Sequence, residues 1–303
     1  MTGGAGQARP AAPALGALTV SQAVELSLEH LRRRPLLVVS DFDGTLSQIV
    51  EDPWGAAIVP LGRRALRRLA GMPDVHVAVL SGRTAPDVAA RVRVGNVTYL
   101  GNHGMERAYL PRRGRPETLV PTVDSHAHEA GHLAERLADE LPLLVAEPWL
   151  IVERKPPAVA FHYRQAPDVA AAGRRVRAAA DRLDPEQVLE RFPGRRVLEL
   201  RPVGAIAKGE ALRGLLDDVQ PRSVFMLGDD ISDALAFRVL REARAAGETD
   251  GFAVCVQART EVPAEVLAAA DITLASPVAA TRYLAALARR LAGGQAAGGM
   301  WVS

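Results

Sequence analysis

The chain has 303 residues, of which 48% are hydrophobic and 24% are charged, a balance typical of a globular protein with a large core. A net charge of +2, with arginines scattered among acidic residues, argues against a nucleic-acid partner, and no apolar run reaches the roughly 18 residues of a membrane span. The single cysteine, Cys255, excludes an internal disulfide, and the Gly/Ala/Pro-rich start lacks a signal-peptide pattern. We therefore expect a cytoplasmic monomer with neither nucleic acid nor membrane as a partner.

Strand-like and helix-like patterns alternate along the first third of the chain. Short apolar runs predict strands, and segments with apolar residues every three or four positions predict helices. The predicted strands are 36–40, 76–80 and 96–100, and the predicted helices are 19–34, 61–69 and 84–91. This alternation is typical of βαβ units in a parallel sheet, so the predicted fold class is α/β.

The pattern changes after about residue 105 and returns near residue 208. The middle segment contains predicted helices at 124–141 and 168–183 and predicted strands at 149–155, 159–164, 187–192 and 197–200. The parallel pattern then resumes, with helices at 208–216, 234–244 and 278–291 and strands at 223–227, 252–256 and 271–274. We predict a core at 20–117 and 202–292, an inserted α+β unit at 118–201, a disordered tail at 1–19 and a flexible tail at 293–303.

Two carboxylates, Asp41 and Asp43, follow the first predicted strand. On an ideal strand, residues i and i+2 point to the same side, and open α/β sheets bind ligands at the carboxyl ends of their strands. Adjacent carboxylates repel, and a divalent cation such as Mg²⁺ relieves that repulsion. Asp-Gly is also a common turn pair, but an apolar strand followed by D-x-D-G-T-L is a much rarer pattern and favours a catalytic site.

Other polar residues follow further predicted strands. Ser81 follows the second strand, Asp229 and Asp230 follow the strand at 223–227, Asp233 lies one turn later, and Lys208 begins a helix. Together they suit phosphoryl transfer, in which a carboxylate attacks phosphorus, Mg²⁺ neutralises charge, Lys208 and Ser81 hold phosphoryl oxygens, and Asp43 acts as acid and base. The chain has 37 Lys and Arg residues, yet only Lys155 and Lys208 are lysines, which suggests that a guanidinium does not suffice there.

The motifs DFDGTL, SGR, AKGEAL and GDDISDALAF follow one another in the order found in phosphatases of the haloacid dehalogenase superfamily, and the chain resembles that superfamily from about residue 36 to 290. The segments GNHGME at 101–106, E-x-K at 153–155, HYR at 162–164 and E-x-R-P-x-G at 199–204 resemble trehalose-6-phosphate phosphatases. The resemblance implies a Rossmann-like core with a mobile cap of the C2 type, Mg²⁺ dependence, and release of trehalose and phosphate.

The resemblance also implies roles for individual residues. Asp41 is the expected nucleophile and Asp43 the acid and base; Asp41, Asp43 and Asp229 are the expected metal ligands, with Asp230 and Asp233 in an outer shell. The expected contacts of the phosphosugar substrate are Thr45, Gly82, Arg83, Asn102, His103, Glu106, Glu153, Lys155, His162, Arg164 and Glu199. The chain departs from the family pattern at Ser232, at Ala234, where a glutamate is usual, and at Ala207, where a polar residue is usual.

Three alternative functions remain open from the sequence. A phosphatase for another phosphosugar, such as sucrose phosphate or a glycosyl-phosphoglycerate, would keep the same motifs. A non-catalytic phosphosugar-binding module would lack the nucleophile or the acid, but Asp41 and Asp43 are both present. The segment 128–132 matches the zinc-protease pattern H-E-x-x-H, with Glu153 as a third ligand, although helical spacing places His128 and His132 opposite the apolar face.

Overall fold

The computed structural model describes residues 16–50, 55–123, 125–194, 196–202, 207–258 and 262–298. Its strands are β1 Leu36–Ser40, β2 Val75–Leu80, β3 Val97–Gly101, β4 Glu106–Leu110, β5 Thr122–Val123, β6 Ile151–Lys155, β7 Ala158–His162, β8 Leu189–Gly194, β9 Val197–Pro202, β10 Ser223–Gly228, β11 Gly251–Val256 and β12 Ile272–Leu274. Its helices are α1 Val20–Ser27, α2 Pro60–Ala70, α3 Ala85–Val92, α4 Ser125–Val145, α5 Val169–Leu183, α6 Lys208–Val219, α7 Ile231–Ala245, α8 Ala264–Ala269 and α9 Pro277–Gly298. Within these ranges, no helix combines the length and the apolar character needed to span a membrane.

The larger sheet has the strand order β12-β11-β10-β1-β2-β3-β4-β5. All pairs from β12 to β3 are parallel, and β4 and β5 join antiparallel at one edge. β1 is buried at every position because helices cover both faces of the sheet. Leu36 and Val38 pack toward α2 and α9, whereas Leu37 and Val39 pack toward α6 and α7. This confirms the predicted α/β class with a mainly parallel sheet.

The smaller sheet is antiparallel, with the order β6-β7-β9-β8. One of its faces packs against α4 and α5 through a separate apolar cluster that contains Leu137, Val159, Phe161, Val176 and Leu200. Alternate residues of these strands therefore point away from the helices. That second face carries polar residues of the middle segment, among them Glu153 and Glu199.

Some predicted boundaries differ from the structure. Residues 16–19, predicted as part of a disordered tail, are ordered: the Leu18 amide donates to the Thr273 carbonyl at 2.8 Å, and Thr19 caps α1. Residues 293–298, predicted as part of a flexible tail, continue α9. β5, predicted to lie in the insert, pairs with β4 in the larger sheet. Residues 1–15 and 299–303 lie outside the described residues, and the division into core and insert stays a prediction.

Candidate active site

The residues that follow β1, β2 and β10 meet at one edge of the larger sheet. β1 pairs in register with both neighbours, so the chain leaves all three strands at the same level. The first residues beyond these strand ends are Asp41, Ser81 and Asp229, and all three are buried. These residues therefore lie together at the carboxyl edge of the sheet, where the sequence places them.

Lys208 lies at the centre of this edge. Its ammonium donates to Oδ1 of Asp41 at 2.8 Å and to Oδ1 of Asp233 at 2.7 Å, and only 2% of its side chain is exposed. Asp233 in turn accepts from the backbone amides of Asp229 and Asp230 through Oδ2, at 3.0 and 3.2 Å. Asp233 therefore fixes both the lysine and the start of α7.

The charged groups of this cluster shift one another's pKa values. Burial alone lowers the pKa of Lys208, but the carboxylates of Asp233 and Asp41 outweigh that effect, and its pKa lies well above the usual value. Burial raises the pKa of Asp41 to about 8; Lys208 opposes the shift and Asp229 adds to it. One ammonium thus does not compensate the surrounding carboxylates, and the cluster favours a further cation.

A metal ion fits these residues. Among the residues that the structure describes, one oxygen each from Asp41, Asp229 and Asp233 lie within 4.8 Å of one another. Carboxylate oxygens are the ligands that Mg²⁺ prefers. Gly44 adopts a φ of +81°, and a Cβ there would lie 2.3 Å from an Asp229 oxygen, so the backbone closes tightly over this carboxylate. The hydroxyl of Thr45, buried beside the glycine, has no partner among the described residues.

The Asp43 carboxylate is not part of the group formed by Asp41, Asp229 and Asp233, and the role of Asp43 as a metal ligand stays a prediction. Arg83 holds it in a bidentate ion pair, with Nε to Oδ2 at 2.7 Å and a terminal nitrogen to Oδ1 at 2.9 Å. The side chain of Asp43 is 42% exposed, so it remains accessible from solvent. The alternation of a strand does not extend to Asp43 because β1 ends at Ser40.

The segment after β3 closes over the end of β2. Gly82 lies directly under the His103 imidazole, where a Cβ would approach Nε2 to 2.8 Å. Asn102 and His103 have positive φ values of 47° and 61°, a conformation that costs energy and that proteins retain at functional sites. The Ser81 hydroxyl accepts from the Arg83 amide at 3.1 Å.

Glu106 has a supporting position below this segment. It is buried and accepts from the Ala85 amide at 2.6 Å and from the Asn102 side-chain amide at 2.7 Å. Burial raises its pKa to about 7. Asn102 also donates to the Pro156 carbonyl between β6 and β7 at 2.8 Å, so this pair links the larger sheet to the smaller one.

The smaller sheet turns its polar face toward the same edge. Lys155 and His162 flank Glu153, with nitrogen-to-Oε2 distances of 3.5 and 2.8 Å. Burial would raise the pKa of Glu153, but the hydrogen bond from His162 and the charge of Lys155 outweigh it and lower that pKa. Arg201 donates to Glu199 at 2.9 Å and to Nε2 of His103 at 2.8 Å. Arg201 belongs to the E-x-R-P-x-G motif at 199–204, but it was not predicted as a site residue.

A cavity of about 600 Å³ lies between the two sheets. Its lining includes five residues predicted from the sequence as site residues: His103, Glu199, Lys208, Asp229 and Asp230. The lining also includes apolar residues that could not be selected from the sequence, because neither their type nor their spacing differs from that of core residues: Phe192, Val197, Ile231, Leu235, Ala258, Val262 and Pro263.

Three other predicted residues lie elsewhere or in a different setting. Arg164 is exposed beyond the end of β7 and does not line this cavity, and its role as a substrate contact stays a prediction. Ala234 is buried among the apolar residues below α7, so a departure from the family pattern at this position falls in the core. His132 is exposed on α4, as expected for a solvent-facing residue, and the side chain of His128 lies outside the described part of the chain.

A parallel sheet with a buried aspartate–lysine–aspartate cluster at its carboxyl edge, faced by a second α+β unit, defines the class of protein: a phosphatase of the haloacid dehalogenase type. Comparison with known proteins narrows this class. The family model for trehalose-phosphatase matches residues 39–270. The chain is 36% identical over 286 residues to the trehalose-phosphate phosphatase of Mycobacterium avium, covering 91% of this chain and 68% of that protein.

It is also 38% identical over 229 residues to the trehalose-phosphate phosphatase of Mycobacterium tuberculosis H37Rv, covering 72% of this chain and 54% of that protein. The C-terminal domain of trehalose-6-phosphate phosphatase from C. albicans has the same fold, with a TM-score of 0.67 and 22% identity over 90% of this chain and 98% of that chain. The chain belongs to the trehalose-phosphatase family.

Proposed function

We propose that this chain hydrolyses trehalose 6-phosphate to trehalose and phosphate through a phosphorylated aspartate, with Mg²⁺ as the metal. The observation that carries the proposal is the buried ammonium of Lys208, which donates to Asp41 at 2.8 Å and lines the cavity between the two sheets. A fixed positive charge beside a carboxylate nucleophile suits a substrate that brings a phosphate dianion into a dry site. Membership of the trehalose-phosphatase family supports the substrate.

Asp41 is the proposed nucleophile. Its carboxylate oxygen attacks phosphorus, the bond from phosphorus to the sugar oxygen breaks, and the phosphoryl group moves to Asp41. The Oδ1 atom bonds to Lys208, so Lys208 orients the carboxylate and adds positive charge where the transferred oxygens accumulate negative charge. The buried Ser81 hydroxyl lies at the neighbouring strand end and is the proposed donor to a phosphoryl oxygen.

Asp41, Asp229 and Asp233 are the residues that would hold the metal, with Asp233 also bound to Lys208. When bound, Mg²⁺ would neutralise carboxylate and phosphoryl charge and so lower the repulsion between nucleophile and substrate. The backbone at Gly44 maintains this arrangement by its close approach to Asp229.

Asp43 is the proposed acid and base. Its protonated form gives a proton to the departing sugar oxygen, and its carboxylate then takes a proton from the water that attacks the phosphorylated Asp41. Its exposure allows it to reach both the leaving group and water, and Arg83 holds it in one position between these steps. Phosphate and a regenerated Asp41 are the products of the second step.

The second sheet supplies the proposed contacts of the sugar. Glu153 and Glu199 are carboxylates kept ionised by neighbouring cations, and ionised carboxylates accept hydrogen bonds from sugar hydroxyls. Lys155, His162 and His103 are further proposed contacts beside them. Cytoplasmic location and a monomeric state stay predictions from the sequence.

The test is phosphate release from trehalose 6-phosphate, sucrose 6-phosphate, glucose 6-phosphate and p-nitrophenyl phosphate, each with Mg²⁺ and with EDTA. We expect a strong preference for trehalose 6-phosphate that EDTA abolishes. Preference for another ester would replace the substrate but keep the chemistry. Retention of activity in Asp41→Asn would contradict the nucleophile assignment, and full activity in EDTA would contradict the metal requirement.

A further inference from the structure

The polar face of the smaller sheet contains one row of directly paired residues. Glu153 pairs with Ala160, Ala160 with Glu199, and Glu199 with Phe192, so these four residues cross all four strands. Directly paired residues project from the same face of a sheet. With strands about 4.8 Å apart, the row extends over about 14 Å. It has a carboxylate at one end, a methyl group and a second carboxylate in the middle, and an aromatic ring at the other end.

The aromatic ring of Phe192 is held in place. The guanidinium of Arg201 lies 4.4 Å from the ring centroid, and Arg201 is itself fixed by Glu199 and by His103. Phe192 is half-buried and lines the 600 Å³ cavity, so it is in contact with the space beside the catalytic cluster. A ring held in this way loses little conformational entropy when a ligand contacts it.

The first turn of α7 forms the opposite wall of the cavity. Ile231 and Leu235 lie one turn apart and are 58% and 38% exposed, and both line the cavity. Apolar side chains of this size on an accessible surface are typical of a binding site when they occur together. Val262 and Pro263 extend this apolar wall. Asp229 and Asp230 immediately precede α7, so the wall begins beside the phosphate-binding end of the cavity.

A pyranose ring combines both kinds of surface. Its hydroxyl groups project around the rim, and its C–H groups form apolar faces. A site with carboxylates on one side and an aromatic ring with aliphatic side chains on the other matches this chemistry better than it matches an ion or a purely apolar ligand. A monosaccharide phosphate would occupy the end near Lys208, whereas a disaccharide phosphate extends further into the cavity.

We propose that Phe192 is a specificity-determining residue: its ring is the platform for the sugar unit more distant from the phosphate, and Ile231 and Leu235 form the facing wall. The inference rests on the proposed function, because it requires a disaccharide phosphate as the substrate. Phe192 selects the disaccharide over a monosaccharide phosphate and takes no part in the transfer of the phosphoryl group.

The test compares Phe192→Leu, which keeps an apolar side chain of similar volume but removes the aromatic face, with Phe192→Tyr, which keeps the face. We expect Phe192→Leu to lower the ratio of kcat/KM for trehalose 6-phosphate to that for glucose 6-phosphate about tenfold, equivalent to 1.4 kcal/mol. The loss lies mainly in KM, and Phe192→Tyr restores the ratio. Val188→Ala is the matched control, because Val188 is exposed next to the start of β8 and does not line the cavity.

The results distinguish a failure of the role of Phe192 from a failure of the proposed function. A wild-type chain that prefers the disaccharide, together with an unchanged ratio in Phe192→Leu, overturns the role of Phe192 alone. An equal loss on both substrates also overturns it, because Phe192 would then act through Arg201 and His103 and not through the sugar. A wild-type chain with no preference for the disaccharide overturns the proposed function, and this inference with it.

Discussion

The guanidinium of Arg201 donates a hydrogen bond to Nε2 of His103 at 2.8 Å, and this bond joins β9 of the smaller sheet to the segment after β3 of the larger one. Arginine has only donors, so Nε2 of His103 must accept, and the imidazole is neutral when the bond is made. Burial lowers the pKa of His103 to about 3, and the charges of Arg201 and Lys208 add to that effect. The contact between the two sheets therefore depends on a histidine without a proton.

We predict that His103 contributes a loss of stability as the pH falls from 7.5 to 5.5, opposite in sign to the contributions of Asp41 and Glu106, whose pKa values are raised. In the unfolded chain this histidine takes up a proton near pH 6.5, whereas in the folded chain it stays neutral until about pH 3. At His103 the unfolded state thus binds more protons in this range, and this residue alone favours unfolding by about 1.4 kcal/mol at pH 5.5. Urea unfolding of the wild-type chain and of His103→Gln at both pH values measures the difference.

The change in unfolding free energy from pH 7.5 to pH 5.5 should be more destabilising in the wild-type chain than in His103→Gln by about that amount. His132→Gln is the control, since His132 is exposed on α4 and outside the cavity. An equal pH dependence in the wild-type chain and His103→Gln would show that His103 does not stay neutral between the sheets.

The two lysines of the chain give a matched pair of variants. Lys208→Met leaves the buried carboxylates of Asp41 and Asp233 without their shared ammonium, and loss of one partner of a buried ion pair costs about 3–5 kcal/mol. Lys155 is more exposed and lies 3.5 Å from Glu153, so Lys155→Met should cost about 1 kcal/mol or less. Chemical denaturation of both variants in EDTA measures these losses.

Mg²⁺ should recover part of the stability of Lys208→Met, because a cation among the carboxylates replaces some of the lost positive charge. Phosphate release by Lys208→Met should remain undetectable with Mg²⁺, because the lysine also orients Asp41. Similar stability losses in both lysine variants would contradict the central position of Lys208 in the charge cluster.

The sequence predicted the elements whose patterns are local. The run at 36–40 matches β1 because every residue of β1 is buried, and Lys208 begins α6 as predicted. β4 was not predicted because its residues do not alternate between apolar and polar: the buried first position is Glu106 and an exposed position is Tyr109. The partners of the Glu106 carboxyl, Ala85 and Asn102, come from the segments around β3. A carboxylate that is satisfied by tertiary contacts has no signature of burial in the sequence.

The positions of site residues could be predicted where they follow directly from strand ends. The contacts between their side chains could not be predicted. Convergence of Asp41, Ser81 and Asp229 follows from parallel pairing alone. The pairing of Asp43 with Arg83 depends on the turn after Ser40, and the contact of Arg201 with His103 depends on how the two sheets meet. Neither follows from residue spacing.

Arg83→Gln tests the position of the proposed acid. Without the bidentate ion pair, the Asp43 carboxyl should spend less time where it can protonate the leaving oxygen. A sugar alkoxide needs that proton, whereas p-nitrophenolate leaves readily without it, and general acid catalysis contributes about 10²–10⁴ in rate. Because part of this contribution is lost, we expect kcat on trehalose 6-phosphate to fall at least about tenfold more than kcat on p-nitrophenyl phosphate.

Arg91→Gln is the control for this experiment, because Arg91 is an arginine of the same helix region that bonds to Asp87 and to the Ala56 carbonyl. It should change both rates to a similar, small extent. Equal losses on the two substrates in Arg83→Gln would mean that Arg83 acts on the phosphate and not on the acid.

Gly44 and Gly247 form a matched pair for the metal site. Both have positive φ values, +81° and +74°, so an alanine at either should cost roughly 1–2 kcal/mol from backbone strain. A Cβ at Gly247 meets open space, whereas a Cβ at Gly44 would lie 2.3 Å from a carboxylate oxygen of Asp229. Gly44→Ala must therefore displace the carboxylate or the turn, and only this variant should lose Mg²⁺ affinity.

Calorimetric titration of Mg²⁺ and phosphate release at saturating Mg²⁺ compare the two glycine variants directly. Displacement of one of three carboxylates removes a charged ligand, so we expect Gly44→Ala to bind Mg²⁺ at least tenfold more weakly, a change equivalent to about 1.4 kcal/mol. Gly247→Ala should bind Mg²⁺ like the wild-type chain despite similar thermal destabilisation. Equal Mg²⁺ affinity in both variants would exclude Asp229 from the metal site, because its carboxylate cannot keep its place beside an alanine at position 44.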